Sequence, residues 1–127
     1  MHVPQINLAF AWCWIVVGFL SGMVQGLSFH REDWLGGYAS FRRRLYRLAH
    51  ISFFGLGAVN LFFYLTFSSR TDSSGPLTVA SWSFIAGGVL MPLCCFLTAH
   101  IPRARLAFGF PVGALLIGGF LTLIKCL

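Results

Sequence analysis

The sequence predicts an all-α membrane protein: four transmembrane helices in a compact antiparallel bundle, with both termini outside and a short interfacial segment in the first loop. The first observation behind this is composition. Of 127 residues, 57% are hydrophobic and 9% charged, and the mean hydropathy is +0.80. A soluble domain of this size cannot hide so much apolar surface. The second is segmentation. Four apolar runs, over 6–27, 45–67, 77–98 and 104–124, each reach the roughly 20 residues that a helix needs to cross a bilayer. What remains suffices for short loops, so the chain is read as one domain.

The third observation is the placement of charge. Arg31, Arg42, Arg43, Arg44 and Arg47 cluster around the first loop and Arg103 and Arg105 in the third, leaving Arg70 and Lys125 on the other side. By the positive-inside rule, loops one and three face the cytoplasm of an inner membrane, or the equivalent side of an organelle. The net charge of +6 is thus accounted for by topology, and nucleic acid is not an expected partner.

Span one begins after a terminus without Lys or Arg, which lacks the charged region of a cleavable signal peptide, so it is expected to be a retained helix. Gly18, Gly22 and Gly26 repeat at four-residue spacing, a flat stripe against which another helix can pack closely. The loop over 28–44 mixes Arg31, Glu32 and Asp33 with Trp34, Tyr38 and Phe41, and breaks at Gly36 and Gly37. Such a segment suits the headgroup layer. Arg42, Arg43, Arg44 and Arg47 are expected to touch anionic lipid there.

In span two, His50, Phe53, Gly57, Asn60 and Tyr64 fall on one helical face, and its polar members mark it as inward. The stretch 68–76 is rich in turn formers and reads as a solvated connector. Span three contains Gly87, Gly88 and Pro92; the proline cannot donate to the Gly88 carbonyl, so a kink is expected. The third loop is very short, which makes spans three and four antiparallel neighbours. Pro102 suits the first turn of span four, Pro111 is a second kink candidate, and Gly109, Gly113 and Gly118 give this helix a small-residue face.

The chemistry on offer is sparse. Cys13, Cys94, Cys95 and Cys126 form no Cys-x-x-Cys pair and read as small apolar residues. Glu32, Asp33 and Asp72 all lie in loops, so no carboxylate is available within the membrane for proton-coupled transport. No nucleotide-binding glycine loop, metalloprotease pattern or serine-nucleophile motif is present. Three histidines, His30, His50 and His100, map to the basic side. A pair of imidazoles at similar depth, such as His50 and His100, could hold a b-type haem or a metal ion, with Arg44 and Arg47 near the propionates.

The layout, four short spans with basic segments ahead of the second and fourth, resembles that of small membrane proteins found with haem-copper oxidase assembly. The resemblance is one of layout and transfers no residue. With almost no soluble mass, glycine-rich faces and no complete active site, the expected function is a non-catalytic accessory or assembly subunit of a larger membrane complex, respiratory or photosynthetic. Its expected partners are other membrane subunits and the bilayer, including anionic lipid. Two alternatives are an autonomous haem or metal electron-transfer protein, and a small facilitator lined by Asn60, Ser81, Ser83 and Thr98.

Overall fold

The structure, a computed structural model, describes residues 3–70 and 74–127, and every regular element among them is helical. Helix α1 spans Val3–Ser28, α2 Phe41–Phe67, α3 Gly75–His100 and α4 Gly109–Cys126. A short 3₁₀ turn, Trp34–Gly36, lies between α1 and α2, and a longer one, Pro102–Phe108, leads into α4. Four of these stretches are long and apolar enough to cross a membrane, the fourth taken together with its 3₁₀ lead over Pro102–Cys126. Of the connector expected over 68–76, Thr71, Asp72 and Ser73 lie outside the described residues.

The two largest boundary differences from those expected each have a local reason. Helix α2 begins four residues before position 45, because the Ser40 hydroxyl accepts from the backbone N–H of Arg43 at 3.1 Å and caps the helix there. The arginine triplet is therefore helical and its three side chains diverge around the axis. Helix α4 begins at Gly109 rather than 104. Pro111 has no N–H to donate to the carbonyl of Ala107, so α-type bonding cannot be carried back through it, and it sits in the first turn of α4 where no such donor is needed.

Each helix packs on its neighbour in sequence. Moving along α1, Ala11 and Ile15 meet Gly57, Gly18 meets Phe54, Gly22 meets His50, and Gln25 meets Tyr46, so contacts climb α1 as they descend α2. The same reversal joins α2 to α3 through Tyr46 with His100 and Phe63 with Phe84, and α3 to α4 through Gly87 with Leu115 and Phe84 with Gly118. Phe63, Phe67, Leu77, Ala80 and Phe84 form the apolar core at one end, with Val59, Leu115 and Leu121 packed on it.

A polar knot lies near the same end. The Asn7 amide donates to Asn60 Oδ1 at 2.7 Å and to the Ser81 carbonyl at 3.4 Å, while the Ser81 hydroxyl donates back to Asn7 Oδ1 at 2.5 Å. Asn60 in turn donates to the carbonyls of Leu56 and Phe84 at 2.8 and 3.5 Å. All three side chains are sealed from solvent. In hydrocarbon an unpaired amide is costly, so three helices that carry these groups must meet where the groups can pair.

Two turns deeper, Trp14 supplies a second link from α1 to α3. Its indole N–H donates to the Gly88 carbonyl at 2.9 Å, the carbonyl that Pro92 leaves without a helical donor. The indole is itself held by a stacked Phe10 at 4.2 Å between ring centroids and by the edge contact with Phe53 at 5.8 Å. Gly88 is required for this approach, since a Cβ there would lie 2.7 Å from the Phe10 ring.

Replacing Asn60 with Leu removes the nearer acceptor of the Asn7 amide, leaving it the Ser81 carbonyl at 3.4 Å, and is expected to destabilise the protein by about 1–2 kcal/mol, read by reversible unfolding in mixed micelles. Adding Asn7→Leu should then cost less than it does alone, and strictly additive losses would show that the two amides are not coupled. Trp14→Phe keeps an aromatic ring, smaller than the indole, but orphans the Gly88 carbonyl, with an expected loss of at least about 1 kcal/mol in the same assay.

Candidate functional site

The residues with candidate chemistry gather at the end of the molecule opposite the polar knot, where α1 finishes, α2 begins and α3 ends. Arg43 organises this region. Its guanidinium donates to the carbonyls of Phe29 and Arg31 at 2.7 and 3.4 Å, and lies 5.0, 5.2 and 4.1 Å from the ring centroids of Phe29, Trp34 and Tyr38. It is 1% exposed. Expected at the lipid headgroups with its neighbours, Arg43 instead serves as the internal pin of the first loop, because the cap at Ser40 turns it toward the aromatic residues while Arg42 and Arg44 stay exposed.

The loop that Arg43 pins is tightly turned. Leu35, Gly36 and Gly37 all have positive φ, at 53°, 88° and 102°. Glycine accepts this readily and leucine does not. The Ser40 hydroxyl donates to the Leu35 carbonyl at 2.7 Å, so the residue that caps α2 also secures the strained turn.

The three histidines fall in three settings. His30 is exposed in the loop. His50 is half-buried, lying over Gly22 and edge-on to Phe54 at 5.3 Å. A Cβ at Gly22 would come within 2.7 Å of the His50 ring, so the glycine is what lets the imidazole lie on α1. His100, exposed at the end of α3, is joined to the Tyr46 hydroxyl through Nε2 at 2.9 Å, and Tyr46 also stands edge-on to Phe96 and Trp34. His50 thus turns to α1 while His100 sits beside Tyr46, and no contact joins the two rings among the described residues. No group of three or more His, Cys, Asp or Glu among them is placed to hold a metal ion.

His50 borders a cavity of about 210 Å³ with Gly22, Gln25, Phe29, Arg47 and Ile51. Its Nδ1 is sealed and has no hydrogen-bond partner among the described residues. Gln25, 4% exposed, donates to Ser21 Oγ at 3.1 Å and to the Tyr46 carbonyl at 3.2 Å, bridging α1 to α2 beside the cavity. A second cavity of about 290 Å³ lies between α1 and α3 with Tyr46 and Phe53 as its floor and Phe96 on its far wall.

The other sequence-selected residues divide by what surrounds them. Added Cβ atoms at Gly18, Gly57 and Gly118 would press on Phe54, on the α1 backbone at Ala11, and on Phe84, respectively. At Gly26, Gly109 and Gly113 they would meet open space. Gly109 and Gly113 line an outward groove of about 600 Å³ between α3 and α4, together with Trp82, Ser83 and Ala86. Of the residues considered for a pore, Asn60 and Ser81 are bonded within the polar knot, Ser83 faces this groove, and Thr98 is buried. The buried stripe of α2 carries Phe63 and Phe67 where Tyr64 was expected; Tyr64, like His50, lies on its flank.

Asn7, Trp14, Gln25 and Tyr46 were missed in the sequence. The signal was present: Asn7, Ala11, Trp14, Gly18 and Gln25 share a face of α1, the same rule that placed Asn60 inward.

Arg43→Met retains the aliphatic stem but removes the guanidinium. It is expected to cost the loop about 2 kcal/mol of protection, seen as roughly thirty-fold faster amide exchange over 29–40 with the interior of α3 unchanged. Comparison of the chain with known protein families, curated proteins and solved structures returns no match.

Proposed function

We propose that this chain is a non-catalytic accessory or assembly subunit of a larger membrane complex. Its four helices form an antiparallel bundle in the bilayer, with loops one and three in the cytoplasm and both termini outside. The topology is supported by the gathering of basic residues toward one end, while Arg70 at the other end donates to the Lys125 carbonyl at 3.2 Å.

The observation that carries the accessory role is the outward face of α4. Gly109 and Gly113, four residues apart, present bare backbone to the groove opposite Trp82 and Ala86, and no side chain among the described residues packs over them. Helices associate in membranes through such close backbone approach, since apolar burial gives little drive between helices already in lipid. A neighbouring subunit's helix is the object of matching length and polarity. The layout of four short spans with basic segments ahead of the second and fourth is the reason for placing the complex among energy-converting ones.

Two substitutions test the role. Gly109→Leu and Gly113→Leu fill open space, so each should leave the purified chain as stable as before, yet remove it from the large band it occupies when native membranes are run on a native gel. A large band that survives both variants, or its absence from the unaltered membranes, would refute docking at this face. Reporter domains fused at each terminus should both be active only outside the cytoplasm, and an active cytoplasmic reporter at either end would reverse the topology.

A further inference from the structure

We propose that the cavity beside His50 holds the phosphodiester headgroup of an anionic membrane lipid, with Arg47 and His50 as its donors. The cavity combines a cation, an imidazole and apolar walls within about 210 Å³. Arg47 is exposed at its border and has no carboxylate or hydrogen-bond partner among the described residues. The imidazole adds a direction. With Nδ1 sealed and without a partner among the described residues, Nε2 is the ring nitrogen left to donate to an acceptor. A phosphodiester oxygen accepts from both groups, and the guanidinium matches two of its oxygens at once.

The surroundings favour a lipid over a soluble phosphate. Phe29 and Ile51 wall the site with carbon, and Ile51 is 62% exposed. Along the same α1–α2 seam stand Phe54 and Phe19, in edge contact at 5.3 Å, with Phe19 66% exposed. These surfaces offer a track for an acyl chain leading from the headgroup into the hydrocarbon. Gly22 is a positioning residue, since a side chain there would lift the imidazole from α1. The inference rests on the reading that the basic end lies at a membrane surface. It does not depend on which complex, if any, occupies the α3–α4 groove.

The test is native mass spectrometry of the full chain in detergent, titrated with phosphatidylglycerol and, separately, with phosphatidylcholine of the same acyl chains. The unaltered protein should retain one phosphatidylglycerol in preference to phosphatidylcholine. Arg47→Gln and His50→Phe should each weaken that binding about tenfold. Arg42→Gln, an exposed arginine outside the cavity, should change it less than about twofold. Thermal unfolding of each variant checks that the fold is kept, and Gly22→Ala gives a second route to the same loss. Millimolar inorganic phosphate should not displace the lipid. Equal retention of the two lipids, equal losses for Arg42→Gln and Arg47→Gln, or displacement by inorganic phosphate would each overturn the proposal.

Discussion

A bilayer offers no solvent for a stranded amide, and the hydrogen-bonded knot of Asn7, Asn60 and Ser81 is the constraint from which the rest of the arrangement follows. Each side chain comes from a different helix and is sealed from solvent. Apolar packing alone permits many rotations and registers of helices in lipid, but these groups can all pair in few of them. Once α1, α2 and α3 meet there, Trp14 falls within reach of the carbonyl that Pro92 leaves free, and Gly57 is brought against the backbone of α1. Helix α4 is outside the knot. It is held by packing of Leu115 and Gly118 on α3, which leaves much of its surface for other contacts.

The α1–α3 hydrogen bonds described run from one end, at Asn7 with Ser81, to the middle of the bundle, at Trp14 with Gly88. Toward the basic end, Gln25 reaches α2 instead, and the space between α1 and α3 is a cavity floored by Tyr46 and Phe53. One end of the molecule is thus fastened by a sealed knot shared among three helices, and the other by Gln25 and Arg43, each joining segments adjacent in sequence. His30, His50 and His100 and the exposed Arg42, Arg44 and Arg47 stand at the second end.

Much of the fold was legible because hydropathy is a sum over many residues. Four runs of about 20 apolar residues leave few alternatives for a chain in a bilayer. The boundaries were less legible because single hydrogen bonds decide them: Ser40 capping through Arg43 moves the start of α2, and Pro111 moves the start of α4. Glycine spacing identified residues suited to close approach without saying what approaches. Gly18, Gly57 and Gly118 meet the chain's own helices, whereas Gly109 and Gly113 face outward, although the sequence around them looks alike. The histidines show the same limit. The common end of His30, His50 and His100 follows from the order of the spans, but the direction of each ring depends on its rotation about the helix and on neighbours such as Gly22 and Tyr46.

Arg43 connects two moments in the life of the chain. Positive charge biases orientation as helices enter the membrane, when the first loop has yet to fold and every arginine in it counts alike. In the folded molecule Arg43 is enclosed by Phe29, Trp34 and Tyr38 and is no longer a surface cation. Under the proposed topology, the same guanidinium first helps to choose which way the polypeptide threads and afterwards locks the turn that records the choice. A lysine there would retain the insertion signal while losing the planar group that lies among the three rings. Biogenesis and the finished architecture therefore place separable demands on one side chain.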